Sequence, residues 1–207
     1  MNVRNNQLEM YEWRTLSDAE RQKLLKNRKA CRQPWHSPPK FDHTGKTRFL
    51  VTAACYDHLP WIGASSGRME ATAEKLVELA RELCDDLYAW CLLPNHYHLS
   101  VETVDIRNLQ SELGKFHGRA SFAWNKEDDQ RGRKVWFRSF ERPIDSTRHF
   151  YVTLNYIHNN PVKHGYVRKW LDWQYSSAFD YLETVGREEA KRIWLEYPVL
   201  GYGDSWD

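Results

Sequence analysis

The chain has 207 residues, 41% of them hydrophobic and 28% charged, with a formal net charge of +2. That length suits one domain with extensions better than two full cores, and the composition is that of a globular protein, not a disordered or fibrous one. No stretch approaches the ~18 consecutive apolar residues of a membrane span, and the opening MNVRNNQLEMYEWR lacks the apolar segment of a secretory signal. No membrane partner is therefore expected, and the cytoplasm is the default location. Cys31, Cys55, Cys84 and Cys91 include no C-x-x-C pair, which speaks against a zinc knuckle or a thioredoxin-type redox site. Cys84 and Cys91 fall in apolar patterns, where a thiol behaves as a small core residue.

In chain order, a short helical pattern begins at Leu16-Ser17-Asp18, with Ser17 and Glu20 at capping-box spacing. It fades near Asn27, and Gln33-Pro34-Trp35-His36-Ser37-Pro38-Pro39 forbids helix and reads as a linker. Arg48 to Tyr56 is a buried strand by length and composition. After a connection around Pro60-Trp61, a helix starts near Ser66, with Met69, Ala73, Leu76, Val77, Ala80 and Leu83 on one face. Leu87 to Leu93 and His96 to Glu102 are strands joined at Pro94-Asn95 as an antiparallel hairpin. A second amphipathic helix runs from about Ile106 to Trp124, with Leu109, Leu113, Phe116, Ala120 and Ala123 inward. The polar stretch Asn125 to Arg133 ends it, and Val135 to Phe140 forms a fourth strand. A third helix covers about Ser146 to Asn160 and stops at Pro161, because proline disfavours helical geometry in the residue before it. The fold expected is α+β: a ferredoxin-like βαββαβ antiparallel sheet with helices on one face, plus a helix after the fourth strand. That plan hosts many unrelated functions.

Between Arg107 and Arg142 basic residues outnumber acidic ones. Lys115, Arg119, Arg131, Arg133, Lys134 and Arg138 are candidate DNA contacts there, since a local basic patch is the footprint of phosphate binding. A solvated charged loop is the other reading. Lys163 and His164, directly after the third helix, could also hold phosphates. Ten tryptophans and eleven tyrosines would suit base stacking on single strands. Trp35, Trp61, Trp124 and Trp136 are the candidates, although core packing is the usual fate of tryptophan.

In Leu93-Pro94-Asn95-His96-Tyr97-His98-Leu99, residues two apart share a strand face. His96 and His98 would project together while Tyr97, Leu99 and Val101 enter the core, and two neutral imidazoles on one face can share a divalent ion. In the third helix, Tyr156 and Asn160 are one turn apart and about 40° from each other around the axis, so a hydroxyl and an amide oxygen can address one point. An ordinary amphipathic tyrosine with its hydroxyl at the surface is the other reading of Tyr156. Tyr151 lies about 140° around and His158 about 200° around from Tyr156, so neither shares its face.

The H-x-H after Leu-Pro-Asn, followed by Tyr-Ile-His-Asn-Asn-Pro-Val-Lys-His-Gly, resembles the single-tyrosine HUH transposases and among them the REP-associated tyrosine transposases. The resemblance covers roughly Thr47 to Ser177. It implies an N-terminal extension over 1–45, a catalytic domain over 46–177 and a C-terminal extension over 178–207. It also implies that His96 and His98 hold the catalytic metal, that Tyr156 is the nucleophile, and that Asn160 completes the metal site. The implied activity is cleavage and strand transfer of single-stranded DNA through a 5′-phosphotyrosine. The implied substrate is hairpin DNA of short palindromic repeats with a single-stranded flank, and the protein would act as monomer or homodimer. Mg²⁺ or Mn²⁺ suits such ligands, the histidines favouring Mn²⁺. The competing readings are a non-catalytic binder of single-stranded or hairpin nucleic acid and a metal-dependent hydrolase that activates water.

Overall fold

The computed structural model describes residues 45–203 and, before them, only positions 17, 19, 20, 23 and 26. The chain divides into two compact units, Met1–Asp42 with Gly201–Asp207, and His43–Leu200. In the first, Ser17 and Glu20 form the expected capping box: the Ser17 N–H donates to Glu20 Oε2 at 2.7 Å, and the Glu20 N–H donates to Ser17 Oγ at 3.4 Å. The linker at Gln33–Pro39, with Trp35, and Cys31 lie outside the described residues.

The second unit is built on four strands, β1 (Thr47–Ala54), β2 (Asp86–Leu92), β3 (His96–Thr103) and β4 (Phe140–Ile144), in the order β2-β3-β1-β4 with every neighbouring pair antiparallel. Three helices alternate with them: α1 (Ser66–Leu83), α2 (Ile106–Glu127) and α3 (Thr147–Lys163). Each begins at a side-chain cap: Ser65, Asp105 and Ser146 accept from Arg68, Asn108 and His149 N–H groups. Such caps satisfy donors that no helical carbonyl reaches. Two further helices, α4 (Ala178–Val185) and α5 (Arg187–Glu196), complete the unit. No described helix is long and apolar enough to cross a membrane.

Strand alternation divides the interior. Phe49, Val51 and Ala53 of β1 and Tyr97, Leu99 and Val101 of β3 meet Met69, Leu76 and Leu79 of α1 and Leu109, Leu113 and Trp124 of α2 in the main core. The intervening residues of β3, His96, His98 and Ser100, are equally buried but face the other way, beneath α3, which packs on β2 and β3. The ferredoxin-like order is thus the one expected: α1 and α2 lie on one face, and α3, the helix after the fourth strand, lies on the other.

Three elements differ from the sequence reading by three residues or more at a boundary, and α2 is one of them, running on past Trp124 to Glu127. The fourth strand begins at Phe140, not Val135. Val135 and Trp136 are buried as core residues, and the stretch pairs at the end of β1 through one isolated bridge, Cys55 to Trp136, whose hydrogen bonds run from Phe137 N–H to the Ala54 carbonyl and from Tyr56 N–H to the Val135 carbonyl. Its apolarity therefore reflects packing, not a strand ladder. Pro143 within β4 is tolerated because β4 is an edge strand. The third helix also runs through Pro161 to Lys163. The missing proline N–H removes one bond, yet the chain completes another turn because His164 N–H still donates to the Asn160 carbonyl at 3.0 Å. Burial pushes the Cys55 thiol up to about 12 and the Cys84 thiol to about 11, and raises Cys91 as well. These cysteines stay protonated core groups at neutral pH.

Candidate active site

Four of the residues singled out by sequence come together where α3 crosses β3. His96, His98, Tyr156 and Asn160 are all buried, none more than 2% exposed. Tyr156 Oη lies 3.3 Å from His98 Nε2, and Asn160 Oδ1 lies 2.9 Å from His96 Nε2. The imidazole rings of His96 and His98 are 5.1 Å apart between centroids, edge to face. The strand period places both rings on one face and the helical period places Tyr156 and Asn160 on one stripe, so the two motifs converge by backbone geometry alone.

The outer nitrogen of each ring is held by a residue that sequence reasoning missed. Thr52 Oγ1 is 2.8 Å from His98 Nδ1, and Asn95 Oδ1 is 2.8 Å from His96 Nδ1. Thr52 is the cross-strand partner of His98 in the β1–β3 register, so a known register would have revealed it. Asn95 is pinned in turn, because its Nδ2 donates to the His58 carbonyl at 3.1 Å. With that amide fixed, Asn95 offers only an acceptor to His96, so His96 Nδ1 must carry the proton. In the neutral ring, the lone pair of His96 Nε2 then faces the lone pairs of Asn160 Oδ1.

Two acceptors at 2.9 Å repel each other unless a cation lies between them, the ring binds a second proton at Nε2, or the amide is turned over. Asn160 Nδ2, meanwhile, is buried with no hydrogen-bond partner. The donor set therefore fits a divalent ion. It is a lean set: among the described residues no three His, Cys, Asp or Glu side chains cluster as a metal site, so an ion here would rest on two imidazoles and an amide oxygen.

The rivals point elsewhere. His158 Nε2 is 3.0 Å from Ser177 Oγ, and burial lowers this imidazole to about 3. Tyr151 stacks on Tyr197 at 4.9 Å between centroids. Of the basic candidates, only Lys163 and His164 adjoin the four: the His164 ring is 4.9 Å from that of His96, and Lys163 Nζ is 5.4 Å from the Tyr156 ring centroid. Lys115 pairs with Glu112 at 2.6 Å on the exposed side of α2, where Arg119 is also exposed. Arg131 is exposed in the loop after α2. Arg133 is committed to structure, bonded to Asp128 at 2.6 Å and Asn125 at 2.9 Å and lying over the Trp61 ring. Lys134 sits over the Tyr56 ring, and Arg138 lines a cavity beside Trp136. Trp124 and Trp136 are core residues. A cavity of about 600 Å³ beside β2, lined by Trp90, Phe150 and Tyr181, contains none of the four residues.

No family model matches the chain. Among curated proteins it is similar to a Haemophilus influenzae protein named provisionally as a REP-associated tyrosine transposase, 33% identical over 99 residues. That match covers 43% of this chain and 56% of the relative, so the alignment spans little more than half of that protein. It is also similar to the REP-associated tyrosine transposase of Escherichia coli K12, 28% identical over 137 residues, covering 64% of this chain and 72% of the relative. Among solved structures, a REP-associated tyrosine transposase bound to a REP hairpin matches with a TM-score of 0.54 and 21% identity, over 84% of this chain and 94% of that one. At that identity the likeness speaks to the fold. The resemblance carried by the H-x-H and Tyr-Ile-His-Asn-Asn-Pro motifs is thus borne out: the chain's curated relatives are REP-associated tyrosine transposases, and it shares the fold of a solved protein of that kind.

Proposed function

We propose that the protein cleaves and rejoins single-stranded DNA at hairpin sites, with Tyr156 as covalent nucleophile and a divalent ion, Mg²⁺ or Mn²⁺, held by His96, His98 and Asn160. The observation that carries this reading is the convergence of Tyr156 Oη and Asn160 Oδ1 on the Nε2 atoms of the two histidines. Supporting it, one relative of this fold was solved with a REP hairpin.

The chain's own residues have distinct tasks. Asn95 fixes the proton of His96 on Nδ1, while Thr52 holds the outer nitrogen of His98, and both Nε2 atoms then face inward. Tyr156 presents its hydroxyl from a rigid helix, so that little reorganisation precedes attack. Its oxygen forms a bond to phosphorus as the bond to the 3′-oxygen breaks; the phenol proton lost is balanced by one taken up at the leaving 3′-oxygen. The products are a 5′-phosphotyrosine and a 3′-hydroxyl, and attack by a 3′-hydroxyl on the same phosphorus rejoins a strand. Lys163 and His164 lie at the rim, where negative phosphate would arrive. A bound divalent ion supplies Lewis-acid neutralisation of the charge that builds on phosphoryl oxygens.

The test is a denaturing gel of the protein with labelled hairpin DNA carrying a single-stranded flank, in Mn²⁺ or Mg²⁺. A protein–DNA band that survives denaturation and vanishes in Tyr156→Phe and in chelator is expected. Cleavage that persists in Tyr156→Phe would overturn the nucleophile and favour water activation. DNA binding without any adduct would favour a non-catalytic binder.

A further inference from the structure

On the opposite face of the sheet from Tyr156 lies a cavity of about 530 Å³, between α2 and the segment 136–139. Arg107, Ser111 and Gly114 line it from α2 at steps of four and three residues, one helical stripe. Trp136, Arg138 and Ser139 line the other wall. The lining is rich in donors, and the least explained of them is the indole of Trp136. This residue is 7% exposed, and its Nε1–H is buried with no hydrogen-bond partner. One indole face is covered by His117, stacked at 4.2 Å and 13°, and Tyr97 and Trp124 pack at 6.2 and 5.7 Å between centroids, none of them giving the N–H an acceptor. A buried donor without an acceptor is destabilising, and such exceptions call for a ligand or another compensation.

His117 adds a second donor. Burial lowers this imidazole to about 4, so the ring is neutral at pH 7. Tyr97, whose hydroxyl burial keeps protonated, lies with Oη 3.0 Å from His117 Nε2. A phenol donating to Nε2 leaves the ring proton on Nδ1. Glu141, a carboxylate beside this wall, accepts from the Gln110 amide. Indole N–H, imidazole N–H, hydroxyls and guanidinium groups around one hollow are what a phosphate oxygen needs.

We propose that this cavity is a phosphate subsite that holds one backbone phosphodiester of the DNA strand running to or from Tyr156. The inference rests on the reading of the protein as a DNA nuclease. The path is short: Phe137 N–H bonds to the Ala54 carbonyl, and Ala54 pairs across with His96. The segment therefore lies two strand spacings, about 10 Å, from the histidine strand. A strand held in both places turns round the sheet edge at Phe137, which sets the direction in which it leaves the catalytic face.

Gly114 provides the test. A Cβ there meets nothing within 4 Å, and the same holds at Gly118, one turn further along α2 and outside the cavity. Gly114→Glu places a carboxylate in the hollow without a backbone clash, and Gly118→Glu controls for the added charge. Glycine is the poorer helix former, so both variants should fold. Binding of the labelled hairpin DNA is measured in chelator, where no cleavage occurs, across a salt series. Expected is an affinity loss of about tenfold in Gly114→Glu, with a salt slope lower by about one, against a change within twofold in Gly118→Glu. Arg138→Gln should lose affinity in the same direction. Equal affinities for Gly114→Glu and Gly118→Glu would overturn the subsite. So would a shift of the Trp136 indole N–H resonance with inorganic phosphate in a protein whose DNA affinity is indifferent to Gly114→Glu, which would assign the hollow to free phosphate. Loss of affinity in Gly114→Glu with no covalent adduct from the wild type would retain the subsite and remove the nuclease; adduct formation with unaltered affinity would do the reverse.

Discussion

Replacing Asn160 by Asp separates a cation site from a simple hydrogen bond between Asn160 and His96. Asn160 is fully buried, its Oδ1 faces His96 Nε2 at 2.9 Å, and its Nδ2 has no partner. In chelator, the new carboxylate is a buried charge that His96 can answer only by binding a second proton at Nε2; left unanswered, it costs about 3–5 kcal/mol. For a chain of this size each kcal/mol moves the melting temperature by about 2–4 °C, so Asn160→Asp should melt roughly 10 °C below the wild type. A cation at about 100 times its dissociation constant returns about 2.7 kcal/mol, and a carboxylate binds it better than an amide. Melting curves in EDTA and in increasing Mn²⁺ should therefore show a larger metal-dependent rise for Asn160→Asp than for the wild type. If Asn160→Asp melts low and Mn²⁺ and Mg²⁺ leave it there, no ion binds between these atoms. In the wild type, either the amide then lies turned over, donating from Nδ2 to His96, or His96 carries a second proton and donates to Oδ1.

Acid stability gives a second check. His117 and His158 are lowered by burial to about 4 and about 3 from 6.5; the unfolded chain thus binds more protons than the native one below pH 6.5, and stability falls as pH drops through that window. Each contributes a loss of about 2 kcal/mol by pH 5, readable in urea titrations at pH 7.5, 6 and 5, and His158→Gln should remove about half of the slope. Gly63→Ala should weaken the site from a distance. A Cβ at 63 falls only 3.0 Å from Pro94 Cα, so the turn bearing Asn95 must shift; expected are about 1–3 kcal/mol of destabilisation and a lower yield of covalent adduct. An unchanged adduct yield would separate Asn95 from catalysis. Ser177→Ala strands the buried His158 Nε2 and should cost about 1–3 kcal/mol in chemical denaturation; a neutral result would mean that another group satisfies the ring.

Local periodicity accounts for the part of this site that is legible in the sequence. The two-residue step of His96 and His98 and the four-residue step of Tyr156 and Asn160 fix which side chains share a face before any tertiary contact is known. Thr52 was hidden because its tie to His98 depends on the β1–β3 register, a pairing across 46 residues of chain. Asn95 read as a turn residue and is that as well, but its amide reaches His58 and His96 together. Arg133 counted as one charge in a basic run, whereas its salt bridge to Asp128 and its place over Trp61 depend on how the loop folds back on α2. Val135 and Trp136 look like strand residues because burial and strand pairing select the same side chains. Pro161 marked the end of α3 too early, since one missing N–H near the last turn does not unwind it.

Helix α3 carries Tyr156 on one side, and on its other side it is gripped by the C-terminal helices. Asn155 Nδ2 donates to the Tyr197 carbonyl at 2.9 Å, His158 meets Ser177, and Tyr151 stacks on Tyr197. A tyrosine oxygen stands roughly 8 Å from its helix axis, so a roll of about 10° would swing it by more than 1 Å, and a misplacement of that size can lower a rate by about a hundredfold. The back of α3 therefore works as a gauge for the front. Shortening the chain at Ser177 would leave His96, His98, Tyr156 and Asn160 in place in the sequence while removing the surface that sets the roll of the helix carrying Tyr156 and Asn160.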